Sequence, residues 1–417
     1  MFFIYKILIN LIFFFSPLII IFRIFKGKED TFRFKEKIGF FSKKRNKGNL
    51  IWFHGASVGE IQSIIPLVER FEKNKKIQQI LITSNTVSSS LIIKNLKLKK
   101  TIHQFFPIDC NFISKKFLNH WKPSKAFFID SEIWPNTINN LYKKNVPIFL
   151  LNGRITNKSF NRWKVFSSFA RSLFSKFDSC LSSNIETKKY LKKLGAKNIK
   201  IIGNLKFSQS ENEKTNLNKD LLNLIKSRKT WCASSTHYNE ERICGIVHKK
   251  LKEKYNNLLT IIIPRHIDRT ELIKEELNNL DLIVHKHNSK NKINKNTDIY
   301  IVNSYGQTKS IYNICKNVFL GGSLIRHGGQ NPLEATRYGC NIMHGPNIDN
   351  FKEIYKHLGK LKVSSKINNS SQIISRLEKF FTKNNNSRKI KIKLAKIGKE
   401  ILNNTYKDID QFLKNEN

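Results

Sequence analysis

The chain has 417 residues, room for two domains with real cores, and its 40% hydrophobic and 11% aromatic content excludes a mainly disordered protein. Lys plus Arg number 75 against 31 Asp plus Glu, a formal +44, which favours anionic partners such as nucleic acid, acidic lipid or phosphorylated substrates. Six cysteines without a C-x-x-C pair or a nearby His cluster exclude a disulfide scaffold and a structural zinc site.

Ile7 to Phe22 carries no charge, and Arg23, Lys26, Lys28, Arg33, Lys35 and Lys37 follow it. This predicts an uncleaved N-terminal anchor over 1–25, spanning the bilayer or lying in its interface, with the basic flank and the body on the cytoplasmic side. A cleaved signal peptide fits less well, because the cations come after the apolar run and no A-x-A-like site follows.

From residue 49 short apolar runs alternate with amphipathic stretches, the pattern of parallel α/β units. Strands are predicted at Leu50–Phe53, Ile80–Thr83, Ala126–Ile129, Pro147–Leu151, Ser179–Leu181 and Lys200–Ile202, giving a Rossmann-like domain over 26–207. A polar stretch beginning at Ser208 reads as a linker over 208–225. The alternation then restarts at Trp231–Ala233, Leu259–Ile263, Leu282–His285, Ile299–Val302, Val318–Leu320 and Asn341–Met343, a second Rossmann-like domain over 226–385. Residues 386–417 read as a basic helical tail. The expected architecture is two such domains facing across a cleft.

Three constellations follow predicted strands, where open α/β sheets bind ligands. In His54-Gly-Ala-Ser-Val-Gly-Glu60, the Glu60 carboxylate is placed to act as a general base, and Gly59 leaves room for a ligand. Ser57-x-x-Glu60 is equally a helix capping box. In Asp130-Ser-Glu-Ile-Trp-Pro-Asn136, two carboxylates and a Trp stand before a Pro that opens a helix, so an acceptor contact and a plain cap both fit. In Gly321-Gly322-Ser323, continuing to Asn331-Pro332-Leu333-Glu334, a Gly-rich turn and a helix beginning at Asn331 offer backbone N–H groups to a nucleotide phosphate. That pattern is neither G-x-G-x-x-G nor a Walker loop. Glu334 suits ribose hydroxyls or a capping box. Pro264-Arg265-His266 and Gly203-Asn-Leu-Lys206-Phe207 each put a cation where a strand ends, Arg265 for a phosphate and Lys206 for negative charge on a substrate.

The ordered strings HGASVGE, DSEIWPN, LNGRIT, GNLKF, PRH, GGSL, GGQNPLE and GP-x(4)-NF cover nearly the whole chain. Together they resemble the 3-deoxy-D-manno-octulosonic acid (Kdo) transferase family of lipopolysaccharide synthesis. The resemblance implies a GT-B fold and inverting transfer of Kdo from CMP-Kdo to a lipid A precursor at the cytoplasmic face of the inner membrane. It implies Glu60 as the catalytic base and Glu132 and Lys206 as groups that stabilise the transition state. CMP contacts fall at Pro264 and Arg265, at Gly306, Gln307 and Thr308, and at Asn331 to Glu334. Gln307 stands where the family usually has Glu, and Asn303 where an Asp is common. The resemblance implies no metal and no cofactor beyond the donor itself. The expected partners are CMP-Kdo, the lipid A precursor and the anionic inner membrane, with no nucleic acid and no obligate protein partner. The competing readings are a GT-B transferase of another nucleotide sugar, a basic membrane-anchored nucleic-acid binder, and an inactive family member.

Overall fold

The computed structural model describes residues 1–209, 217–287, 292–382 and 386–414. The chain forms two compact units, Met1–Gln209 with Ile397–Asn417, and Ser210–Lys396.

The first unit holds a seven-stranded sheet of β1 (Leu50–His54), β2 (Gln79–Ser84), β3 (Thr101–Phe105), β4 (Lys125–Ile129), β5 (Ile148–Gly153), β6 (Ser179–Ser182) and β7 (Ile199–Ile201). Its order is β3-β2-β1-β4-β5-β6-β7, and every pairing is parallel. Successive strand residues point to opposite faces, so a strand covered by helices on both sides must be apolar throughout. The two cores show this alternation. Leu50, Trp52, Ala126, Phe128, Ile148 and Leu150 pack on one face, and Ile51, Phe53, Phe127, Ile129, Phe149 and Leu151 on the other.

The second unit holds β8 (Lys229–Thr236), β9 (Leu258–Pro264), β10 (Val284–Lys286), β11 (Ile299–Ile301), β12 (Asn317–Leu320), β13 (Asn341–His344) and β14 (Ser364–Lys366), also all parallel, in the order β10-β11-β9-β8-β12-β13-β14. Each sheet reverses its direction of winding at one point, between β1 and β4 in the first and between β8 and β12 in the second. These crevices at the strands' carboxyl ends are the places such sheets offer to ligands.

Three expectations need correction. Each sheet has one strand more than the sequence suggested, β3 and β14, and both are edge strands. One edge strand needs no continuous apolar run: Thr101-Ile-His-Gln-Phe105 alternates in polarity, and Ser364-Ser-Lys366 is short and polar. Within the expected linker, 210–216 lies outside the described residues, but Lys219–Ser227 is a helix that buries Leu221 and Ile225 one turn apart. The expected tail is one long helix, Ser387–Lys414. Its residues from Ile397 belong to the first unit, where Leu402, Ile409 and Leu413 complete a core face.

Candidate active site

In the first unit, β1 and β4 carry their following loops to the reversal point. The helix Val58–Glu72 begins after Ser57, whose hydroxyl accepts from the Glu60 N–H. Glu60 turns back, taking the Ala56 N–H on Oε2 at 2.7 Å and the Ser57 hydroxyl on Oε1 at 2.9 Å. The capping reading of the sequence is therefore realised, and it fixes the carboxylate's position without closing off its chemistry. Burial, followed by the charges of Glu132 and Asp130, pushes the Glu60 pKa up to about 7. A carboxylate poised near neutrality at a reversal point has the property a general base needs. Gly59 supplies the space. It lies in a helical turn, where glycine costs about 1 kcal/mol relative to alanine, yet a Cβ there would meet no atom of the protein within 4 Å.

Glu132 is held by two rings. Trp134 Nε1–H donates to its Oε2 at 2.9 Å, and His54 Nε2 approaches the same oxygen at 3.3 Å without hydrogen-bond geometry. A chain behind His54 orients that imidazole. Trp52 Nε1–H donates to Thr83 Oγ1 at 2.9 Å, and the Thr83 hydroxyl proton is better placed for His54 Nδ1, 2.9 Å away, than for the Phe53 carbonyl at 3.5 Å. The ring proton then sits on Nε2 and faces Glu132. Pro135 opens the helix Pro135–Lys143, as its sequence position suggested.

Lys206 stands on a short 3₁₀ turn, Leu205–Ser208, and its Nζ reaches Asp130 Oδ2 at 3.0 Å. Asp130 has a positive φ of 55° and also takes a hydrogen bond from the Asn152 amide, whose own oxygen accepts the Leu205 N–H at 2.8 Å. Asn152 has φ 56°. Two left-handed non-glycine residues are thus spent on bringing Lys206 beside the three carboxylates.

In the second unit the reversal point is organised by a residue the sequence reading passed over. Glu240, fully buried at the start of the helix Glu240–Lys252, accepts the N–H groups of Gly322 (2.7 Å), Ser323 (3.1 Å), Leu324 (3.0 Å) and His237 (3.0 Å). The expectation that the Gly321-Gly322-Ser323 amides cradle a phosphate is therefore corrected, because an internal carboxylate already fills that nest. The close approach explains the glycine: a Cβ on Gly321 would lie 2.5 Å from the Ser235 carbonyl oxygen and 2.7 Å from Glu240 Oε2. Ser323 is likewise structural, since its hydroxyl donates to Leu320 O at 2.5 Å and accepts the Gly345 N–H at 2.8 Å.

With the turn so fixed, imidazoles and guanidiniums collect above it. The His237 ring lies 4.1 Å from that of His327 and 5.8 Å from that of His266. Burial, then His327, His266, Arg265 and Arg269, hold the His237 pKa down to about 4. Arg265 is exposed directly after β9. The helix expected from Asn331 begins two residues later and is short, Leu333–Arg337, with Asn331 Oδ1 accepting the Leu333 N–H at 3.1 Å. Lys309, which follows the Gly306–Thr308 segment, brings its Nζ to 3.9 Å from Glu334 Oε1. Gln307 ends the turn before the helix Thr308–Ile314, and the Asn303 side-chain oxygen is buried without a hydrogen-bond partner.

The structure thus gathers Glu60, Glu132 and Lys206 in one unit and the 264–269, 306–309 and 331–334 segments in the other. Among the described residues no group of three or more His, Cys, Asp or Glu side chains is arranged to hold a metal. A cavity of about 600 Å³ in the first unit, lined by Phe160, Lys164, Arg171 and Lys193 among others, includes none of these residues. His237 and Glu240 were missed because the strand expected at Trp231–Ala233 runs on through Ser234-Ser-Thr236. They are the end of β8, and placing the strand end there would have pointed at His237 through the reversal rule.

Comparison with known proteins places the chain in a family. Residues 32–209 match the family model described as 3-deoxy-D-manno-octulosonic-acid transferase (kdotransferase). A Rickettsia bellii protein named 3-deoxy-D-manno-octulosonic acid transferase is 33% identical over 377 residues, covering 89% of each chain. One of the same name from Haemophilus influenzae is 28% identical, covering 84% of this chain and 83% of that one. The solved UDP-GlcNAc 2-epimerase of Neisseria meningitidis superposes with a TM-score of 0.59 at 11% identity, over 88% of this chain and 100% of that one, a likeness of fold. The fold is of the GT-B kind, two parallel-sheet α/β domains with an apolar N-terminal helix. By the extent and level of these identities, the chain belongs to the Kdo transferases, glycosyltransferases of lipopolysaccharide synthesis.

Proposed function

We propose that the enzyme transfers Kdo from CMP-Kdo, with inversion, to a hydroxyl of the lipid A precursor lipid IVA at the cytoplasmic face of the inner membrane. The observation that carries this reading is Glu60, a carboxylate with its pKa near 7, beside open space at the reversal point of the first sheet. Glu60 takes the proton of the acceptor hydroxyl while the oxygen attacks the anomeric carbon of Kdo. The bond to the CMP oxygen breaks and CMP departs with the electron pair, so a single displacement inverts the centre. Glu132, fixed by Trp134 and His54, stabilises positive charge developing on the sugar, and Lys206 tunes the carboxylate group.

On the donor side, Pro264 and Arg265, the segment Gly306–Thr308 and the segment Asn331–Glu334 bind CMP, with Arg265 on the phosphate. Gln307 serves as a hydrogen-bonding group in place of the usual carboxylate. The proposed chemistry uses no metal ion: exposed Arg265 offers the leaving phosphate positive charge, and the neutral His237 ring offers a hydrogen bond. The experiment is direct: purified enzyme receives CMP-Kdo generated in situ and a tetraacyl lipid A precursor, and the lipid's mass is followed. A gain of one or more Kdo units supports the reading, while folded enzyme that binds CMP and adds no Kdo overturns the assignment of sugar or acceptor.

A further inference from the structure

The N-terminal helix Phe2–Phe25 is long and apolar enough to cross a membrane. At 1.5 Å per residue it measures about 36 Å against a hydrocarbon core of roughly 30 Å. Composition therefore leaves a crossing helix and an in-plane helix equally open. Its contacts do not.

One stripe of the helix faces the first domain along its whole length. Ile9, Ser16 and Ile20 are buried, and Tyr5, Phe13, Arg23 and Ile24 are partly so, a spacing of three and four residues that keeps one face turned inward. Near the start, the Tyr5 hydroxyl donates to buried Asp109 at 2.8 Å. The same carboxylate takes the N–H groups of Asn136 (2.9 Å) and Thr137 (2.8 Å) at the head of the helix after Trp134. In the middle, Ile9 packs with Cys110 and Ile113, and the Phe13 ring meets Phe112 edge-on at 5.2 Å. At the far end, Arg23 bonds Glu29 at 2.5 Å, and Glu29 is held by Lys37 at 2.7 Å, whose ammonium also reaches the Asn85 carbonyl. Tyr5 and Arg23 lie roughly 27 Å apart along the axis. A helix crossing the bilayer keeps one end with a water-soluble domain and carries the other away from it. Here both ends and the middle are tied to the same domain.

The outward face is apolar apart from Asn10, with Phe3, Ile7, Leu11, Phe14, Leu18 and Phe22 exposed. Large apolar side chains continue beside it: Phe112 is 55% exposed next to Phe13, and Phe32, after the helix, is 89% exposed. Lys26 and Lys28 supply cations at the same end. Such a face, with basic residues at its border, suits the boundary between anionic headgroups and acyl chains.

We infer that the N-terminal helix lies in the plane of the membrane surface, its inner face docked on the first domain and its outer face in lipid, and does not cross the bilayer. The inference rests on the proposed action at a membrane and deepens it. It makes the helix part of the acceptor domain, joined through Tyr5 and Asp109 to the segment that carries Glu132 and Trp134.

The test uses the full chain with a short neutral cysteine tag before Met1, the same tag after the C-terminus as a reference, and the native cysteines, all buried. In right-side-out membrane vesicles a membrane-impermeant maleimide is expected to label neither tag, and in inverted vesicles both. Labelling of the N-terminal tag alone from the outside overturns the in-plane helix. A flotation assay with phosphatidylethanolamine–phosphatidylglycerol vesicles separates the two readings. Protein that fails to float removes the membrane reading itself, whereas protein that floats with its two ends on opposite sides removes only the geometry.

Discussion

Replacing Glu60 with Gln is expected to abolish transfer while making the protein more stable, and the size of the gain follows from the site. The ionised carboxylate is disfavoured in the fold, its pKa raised from an ordinary 4.5 to about 7 by burial first and by Glu132 and Asp130 next. That displacement is about 3 kcal/mol of destabilisation once Glu60 is charged. Because the folded pKa lies above the unfolded one, the penalty is fully present above pH 7 and fades as the pH falls toward 4.5, where both states are protonated. Glutamine fits the same contacts, its oxygen accepting the Ala56 N–H and its amide donating to Ser57. A gain of about 1–3 kcal/mol is expected at pH 8.5, several degrees in the melting of the first domain, with little or no gain near pH 4.5. Thermal unfolding of both proteins in one detergent at the two pH values gives the difference, and the mass assay gives the activity. A Glu60→Gln enzyme that still turns over refutes the base. A stability difference that is absent at pH 8.5, or the same at both pH values, refutes the desolvated, charge-crowded carboxylate on which the argument stands.

Four further outcomes are expected. Wild-type kcat/KM should fall about tenfold per pH unit below pH 7 as Glu60 takes up its proton, and Glu132→Gln, by removing a like charge, should move that limb to lower pH; a limb that stays in place or moves up contradicts the coupling. Gly59→Ala should stabilise the helix by about 0.5–1 kcal/mol and still lower transfer, since its methyl enters space the protein leaves open; unchanged activity would mean that no substrate uses that space. Arg265→Ala should raise the KM for the donor several-fold with a smaller effect on kcat, and an unaltered KM removes the phosphate contact. Glu240→Gln should cost about 2–4 kcal/mol in the second domain, because an amide turned toward four N–H donors can satisfy them only in part. Its calorimetric unfolding should shift accordingly, and an unshifted transition would show that the turn holds itself.

The sequence alone conveyed the repeated strand–helix pattern and the loops that matter, because strands buried on both faces must be continuously apolar and so announce where they end. Glu60 and Glu132 were readable for that reason, in the loops after β1 and β4, whereas Lys206 follows the largely exposed edge strand β7 and was read from its place after a short strand. What stayed hidden depends on pairings across distant segments. Ser57-x-x-Glu60 allows a cap or a base, and only the neighbouring charges and burial show that one carboxylate serves in both capacities. The Gly321-Gly322 turn had the look of an anion cradle. Its occupant turned out to be Glu240, more than 80 residues earlier in the chain, and no local pattern distinguishes a nest waiting for phosphate from one already filled. The edge strands β3 and β14 escaped because polar residues break their apolar runs, and the C-terminal helix, expected as a helix, concealed only its return to the first unit.

The two reversal points are filled in opposite senses, and this fits the division of labour in the proposed reaction. In the first, Glu60, Asp130 and Glu132 crowd together with Lys206 on Asp130. Burial first, and the charges of Glu132 and Asp130 after it, raise the pKa of Glu60, so an ordinary carboxylate becomes a base able to accept a hydroxyl proton near pH 7. In the second, Glu240 is turned inward and saturated by four backbone N–H groups, and buried Glu241 is paired with Arg269 at 3.2 Å, leaving Arg265 as the exposed cation beside the His237, His266 and His327 rings. Had Glu240 faced outward, it would have repelled an anionic donor. Buried, it holds the Gly321–Leu324 turn against β8, and so keeps the loop that carries His327 next to His237. The pKa of His237, held near 4 by burial and by its cationic neighbours, has a corresponding use. Near neutral pH that ring is uncharged and offers a phosphate a hydrogen bond, Arg265 offers the charge, and the acceptor side requires Glu60 to lose its proton.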